Sequence, residues 1–339
     1  MKKVFRIALN VLAVLTIVYI LGPAPSTPIY NTQLPAPPAD VVGLEQYVQQ
    51  HEAIHKLRPN NEARIVWAND STKAPTEYVI VYLHGFSASQ EEGNPTHRNI
   101  AKKMGANLYL ARLAEHGVDT VDQLINYTAE NLWTSAQEAF AIGRQLGKKV
   151  ILMGTSTGGS VALQLAAAYP EIAGLILISP NIRINDANAW LLNNHWGKQI
   201  VRLVVGSDYR HAGDYRPIYA QYWNAEYRIE SLVQLQEYLE TAMVPKTFEQ
   251  VKQPVLVLAY YKNEQEQDKV VQVSAMRNMY AELGTVANQK QYVELSTTGD
   301  HVQGSPIKSK DVGAVEKEIE KFLKEVMSIN MHPETSSSL

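Results

Sequence analysis

Ser156 stands in the run Gly154-Thr155-Ser156-Thr157-Gly158, between the apolar stretch Val150-Ile151-Leu152-Met153 and the helix-forming stretch Val161 to Ala168. A serine hydroxyl is a weak nucleophile on its own. Acyl chemistry there needs a base, an acid to orient that base, and donors for a developing oxyanion. A tight strand-to-helix turn would hold Ser156 Oγ clear of the sheet and aim the Thr157 backbone N–H at an incoming carbonyl oxygen. Glycine on either side fits such a turn, because a Cβ would collide with the neighbouring backbone. The base should follow the last strand, where Thr298-Gly299-Asp300-His301-Val302 offers His301. The acid should follow the strand before it, where Gln267-Asp268-Lys269-Val270-Val271 offers Asp268, with Glu264, Glu266 and Asp186 as alternatives. Asp300 adjoins the base and is poorly placed to reach the far imidazole nitrogen.

A second motif points to different chemistry. His51-Glu52-Ala53-Ile54-His55 matches the H-E-x-x-H pattern, which on a helix puts two imidazoles on one face for zinc and a glutamate nearby as general base. Lys56 and the helix-stopping Pro59 argue against that reading, and no third ligand follows at the usual spacing. An amphipathic packing helix over Val42 to Leu57 is the expectation.

The elements around Ser156 must position these groups. Strands are expected at Ala63–Ala68, Glu77–Leu83, Ala106–Leu113, Lys149–Thr155, Ala173–Pro180, Pro254–Ala259 and Lys290–Leu295. Helical patterns lie between them, at Pro95–Lys103, Tyr127–Leu146, Ser274–Leu283 and Asp311–Val326. Such alternation implies an α/β fold: a mostly parallel sheet with helices on both faces, whose active site lies at the carboxyl ends of the strands. His84-Gly85-Phe86, Ser156 and Ser179-Pro180 all fall at such ends. Residues 181–250 interrupt the alternation with Trp190, Trp196, Tyr209, Tyr215, Tyr219, Tyr222, Trp223, Tyr227 and Tyr238, and are expected to form a mostly helical cap whose aromatics wall a pocket.

The 339 residues suffice for one large α/β domain with an insertion. A formal charge of −3 and the absence of any long basic run exclude a nucleic-acid footprint. The chain has no cysteine, which excludes disulfides, thiolate metal sites and a cysteine nucleophile. Lys2, Lys3 and Arg6 precede the apolar run Ile7 to Leu21, so residues 1–22 read as a signal peptide or membrane anchor. The domain would then be exported, either anchored outside the cytoplasm or secreted. Residues 23–42 are proline-rich and expected to be an extended tether, residues 43–328 the catalytic domain, and residues 329–339 a disordered tail.

Together, His84-Gly85-Phe86, Gly154-Thr155-Ser156-Thr157-Gly158, Asp268-Lys269-Val270-Val271 and His301-Val302 resemble the α/β-hydrolase superfamily, in particular its carboxylesterase, monoacylglycerol-lipase-like and serine-aminopeptidase-like members. The resemblance runs from about Glu62 to Val326. It implies a triad of Ser156, His301 and Asp268, an oxyanion hole from the backbone N–H groups of Phe86 and Thr157, and a structural role for the His84 ring. It calls for no cofactor or metal. The cap is neither strongly basic nor acidic, so a small neutral or lipid-like ester is the expected substrate; a hydrolase fold that binds without catalysis, or that transfers the acyl group to an acceptor other than water, is the alternative. One departure is the stretch Tyr260 to Gln267, longer than the family's usual Gly-x-x-Asp turn.

Overall fold

The computed structural model describes residues 2–332. The chain begins with α1 (Lys2–Ile20) and, after an extended stretch, continues through α2 (Val41–Ala53), β1 (Arg64–Val66) and β2 (Thr76–Leu83). Next come α3 (Thr96–Met104), β3 (Asn107–Leu110), α4 (Ala129–Leu146), β4 (Gly147–Thr155), α5 (Thr157–Ala168) and β5 (Gly174–Ile178). The cap follows with α6 (Gly197–Val205), β6 (Tyr209–His211), α7 (Pro217–Tyr222), β7 (Glu226–Arg228), α8 (Ile229–Ala242) and α9 (Pro245–Gln250). The body closes with β8 (Val255–Tyr260), α10 (Val273–Glu282), β9 (Lys290–Leu295) and α11 (Val312–Glu325).

Seven strands form one sheet in the order β1-β3-β2-β4-β5-β8-β9, parallel throughout except for the β1/β3 pair. Strands buried on both faces read as continuous apolar runs, and the alternation of side chains then splits each run between two cores. Val79, Val81 and Leu83 of β2 join Leu132, Phe140, Val161 and Leu165 of α4 and α5 on one face. Ile80 and Tyr82 join Ile100, Ile319 and Phe322 of α3 and α11 on the other. Side chains fix the helix starts: Asp40 accepts from Gly43 N ahead of α2, Thr128 and Asn131 form a reciprocal capping box on α4, and Asp311 accepts from Ala314 N ahead of α11.

The cap is mostly helical, and it also contains the short antiparallel β6/β7 ladder, in which Tyr209 faces Arg228. Three-residue strands with charged residues leave no alternation to read, so no strand was expected there. Two expectations for the termini need correction. The proline-rich segment is extended but lies against the body. Tyr30 and Leu34 pack on the main core, Trp133 Nε1 and Gln137 Nε2 both donate to Asn31 O, and Tyr169 OH donates to Thr32 O. The tail is ordered as far as His332: Ile329 is buried, its N–H donates to Leu323 O, and His332 N donates to Lys103 O. The remainder of the expected disordered tail lies outside the described residues.

Candidate active site

Ser156 occupies the turn between β4 and α5 at φ 53°, ψ −120°, a region that costs a non-glycine residue roughly 1–3 kcal/mol. Close packing enforces it. A Cβ on Gly158 would lie 1.9 Å from Leu83 O, and one on Gly154 would lie 2.4 Å from Gly158 O. The turn is tied to β5 by Ser156 N donating to Ile178 O at 2.9 Å, and Ser160 Oγ donates to Asn181 O at 2.6 Å. Thr157 begins α5, where backbone N–H groups have no acceptor within the helix.

His301 and Asp268 meet. His301 Nδ1 donates to Asp268 Oδ2 at 2.6 Å, while Val270 N and Val271 N donate to Asp268 Oδ1 at 2.8 and 3.0 Å. Burial by itself would raise the Asp268 pKa, but the charge of His301 and these hydrogen bonds outweigh it and hold the carboxyl below its ordinary value. For His301, burial pulls the pKa down; the charge and hydrogen bond of Asp268, with Glu92 and Asp300 further off, prevail and hold it above 6.5.

The other carboxylates considered from sequence are engaged elsewhere. Glu264 accepts from Tyr261 OH, Glu266 pairs with Lys262, Asp186 accepts from Asn188 N, and Asp300 accepts from Val302 N. The unusual loop explains how Asp268 keeps its place. Lys262 N and Asn263 N both donate to Glu266 O, Tyr261 bridges Gln267, and Asp268 N donates to Tyr260 O. The extra residues thus close on themselves, and the chain re-enters at the end of β8.

The loop after β2 carries Phe86, whose N–H has no acceptor among the described residues. Two buried neutral histidines brace it. Leu113 N donates to His84 Nε2 and Ser87 N to His116 Nε2, while the Nδ1 of each ring donates to a carbonyl, Gly85 O and Ala114 O. Burial drives the His84 pKa down to about 4 and His116 well below its ordinary value. The His84 ring is therefore structural.

Glu92 was missed by the sequence reading. It is 2% exposed, its Oε2 accepts from Gly85 N at 2.6 Å, and no described group hydrogen-bonds its Oε1. A Cβ on Gly85 would lie within 3.0 Å of both Ser156 Cβ and the Glu92 carboxyl, so all three crowd one spot. Burial pushes the Glu92 pKa up to about 7, despite the opposing Gly85 N–H bond and His301 charge. Nothing in the local run Ser89-Gln90-Glu91-Glu92-Gly93 marks one carboxylate for burial.

Ser156, His301, Glu92 and Phe86 all line one cavity of about 920 Å³ between body and cap. Tyr219, Trp223 and Tyr227 supply aromatic wall as expected, with Tyr219 and Trp223 stacked at 4.9 Å. Tyr238 is instead buried in the main core, and Trp190 and Tyr215 are exposed. Aliphatic residues of α6 and α8 (Ile200, Val201, Val204, Leu232, Leu235) make much of the remaining wall.

The H-E-x-x-H segment does not converge. α2 ends at Ala53, short of the expected Leu57, so His55 lies past the helix. Glu52 Oε2 accepts from Arg112 Nε and Ala63 N, both at 2.8 Å, and His51 Nδ1 donates to Tyr47 O. Among the described residues no group of three potential ligands gathers around it.

The family described as "Serine aminopeptidase, S33" matches residues 131–296. A thermostable monoacylglycerol lipase of a Bacillus species is 27% identical over 132 residues, covering 38% of this chain and 50% of the lipase. A probable alcohol acetyltransferase of Saccharomyces cerevisiae is 26% identical over 108 residues, 31% of each chain. The matches thus span half or less of these relatives' lengths. Among solved structures, that reported for the metagenome-derived lipolytic enzymes LipS and LipT superposes with a TM-score of 0.59 at 17% identity, over 79% of this chain and 99% of that one. The Paleococcus ferrophilus monoacylglycerol lipase gives 0.56 at 16% identity, over 77% and 97%. At such identities the likeness establishes the fold.

Proposed function

Since this chain belongs to the α/β-hydrolase superfamily, we propose that it is a serine hydrolase that cleaves a small neutral or lipid-like carboxylic ester. The observation that carries the reading is the convergence on one cavity of a strained serine and a buried Asp268–His301 pair. His301 takes the Ser156 proton as Oγ attacks the ester carbonyl, and Asp268 keeps the ring in the tautomer with its proton on Nδ1. The Phe86 and Thr157 N–H groups stabilise the oxyanion; the alcohol leaves with the proton from His301, and water releases the acid by the reverse path. Glu92 acts as a positioning residue, holding the oxyanion loop through Gly85 N.

An ester suits the cavity because aliphatic and aromatic side chains of the cap, among them Ile200, Val201, Leu232, Leu235, Tyr219 and Trp223, line it beside polar groups. The lipase among the relatives supports that choice, and the acetyltransferase supports a second reading in which an alcohol replaces water as acceptor. α1, at 19 residues about 28 Å long, approaches the ~30 Å hydrocarbon core, and no side chain on it is buried. It serves either as an anchor that holds the domain at the membrane–water boundary outside the cytoplasm, or as an export signal whose cleavage releases it. The test is Ser156→Ala: ester turnover should fall by several orders of magnitude, and fluorophosphonate labelling should vanish. Undiminished hydrolysis in that variant would overturn the assignment. Chelator-sensitive peptidase activity without labelling would revive the zinc reading. Ester products formed with added alcohols separate transfer from hydrolysis.

A further inference from the structure

The last turn of α1 is fastened to the cap. Trp196 Nε1 donates to Val18 O at 2.9 Å, Trp196 N to Pro23 O at 2.9 Å and His195 Nδ1 to Gly22 O at 2.7 Å, while Tyr19 meets the His195 ring edge-on at 5.5 Å. Two aromatics with polar N–H or O–H groups, Tyr19 and Trp196, thus stand at the exit of the apolar helix, where amphipathic rings settle at the headgroup level of a membrane. Trp196 also immediately precedes α6. A helix of nine residues is about 13 Å long, so every residue of α6 lies near the point where α1 ends.

α6 presents an apolar face that the protein leaves uncovered. Leu203 is 84% exposed and Val204 80%, with Ile200 beside them one turn back. Of its two cations, Arg202 is engaged by Asp208 and Glu230 and Lys198 lines a separate pocket beside Pro23, so the face formed by Leu203 and Val204 is apolar. Val204 both faces solvent and lines the active-site cavity, which makes α6 the rim of that cavity.

We propose that the α6 face and the α1 exit form one bilayer-docking surface, so that the cavity mouth opens into the membrane interface. The inference rests on the membrane-anchor reading of α1 given above, and not on the catalytic assignment. The occupant is a lipid surface because the exposed face continues from a helix suited to cross one. The cavity then draws its ester laterally from the lipid layer in place of water.

The chain has no cysteine, so a single Leu203→Cys carries one environment-sensitive fluorophore. The full-length protein is reconstituted in phosphatidylcholine vesicles, with Leu12→Cys on α1 and Asp70→Cys, on the turn before β2, as references. The label at 203 should shift its emission to shorter wavelength and be quenched by spin-labelled lipid, as should that at 12, while that at 70 stays unchanged. A label at 203 that remains in water while the label at 12 is in lipid overturns the docking surface and leaves the anchor standing. A label at 12 that remains in water overturns both and leaves the catalytic reading untouched. A blue shift at 203 that needs no vesicles and grows with protein concentration assigns the face to a second copy, and overturns the lipid.

Discussion

Of the side chains around Ser156, His301 and Glu92 titrate where the reaction is measured. The base must be neutral to accept a proton, and Asp268 holds the His301 pKa above 6.5. Hydrolysis should therefore rise with pH through a value above that of free histidine, read from kcat/KM profiles. Asp268→Asn should shift that limb down and cost several orders of magnitude in turnover. Glu92 raises the His301 pKa further when ionised, so Glu92→Gln should also move the limb to lower pH. Its own pKa is raised by folding, from 4.5 to about 7; its contribution to stability is complete below 4.5 and is lost as pH rises through 7. Glu92→Gln should then gain as much as ~3 kcal/mol at pH 8 and little at pH 4, measured by urea unfolding. A limb unmoved by the substitution would make Glu92 purely architectural.

At the level of elements, the extended segment before α2 behaves as a strap. Tyr30 and Leu34 pack on the core, and three side-chain donors hold Asn31 and Thr32. Full burial of side chains of this size contributes about 1.5–3 kcal/mol each, and these two, half-buried, contribute less. A chain beginning at Asp40 should be less stable than one beginning at Pro23 by about 2–4 kcal/mol, seen as a lower denaturation midpoint at unchanged fold. Equal midpoints would make the strap passive. Nothing in the sequence announced this, because prolines prevent any repeating apolar pattern and the two anchoring side chains stand alone. Elements with strong periodicity were legible: β9 falls at Lys290–Leu295 as expected, and α4 starts two residues after the expected Tyr127, where Thr128 caps it. The proposed triad of Ser156, His301 and Asp268 could be picked out from the sequence because strand ends locate its members. Glu92 depends on a loop folding back onto Gly85, and the latch between α1 and Trp196 on contacts 178 residues apart. Such contacts leave no local trace.

For the whole molecule, acid is the expected route to unfolding. His84, His97 and His116 are buried and neutral, and burial lowers their pKa to about 4, about 3 and well below the ordinary value. The unfolded chain binds protons at these sites from pH 6.5 downward, and the folded chain only at lower pH. Stability should be insensitive to them above 6.5 and fall as pH drops from 6.5 toward 4, by as much as ~3 kcal/mol for His84 alone. Replacing His97, which lies away from the cavity, by Gln should flatten part of that fall in thermal melts.

The sheet order has an operational consequence. Ser156 leaves β4, in the middle of the sheet, whereas His301 follows β9, an outermost strand that pairs only with β8. Border strands open before centres do. Fraying at that border would withdraw the imidazole while the serine turn stayed intact, so chemistry would fall silent ahead of bulk melting. Loss of reactivity at Ser156 would then be an early alarm for the integrity of that edge.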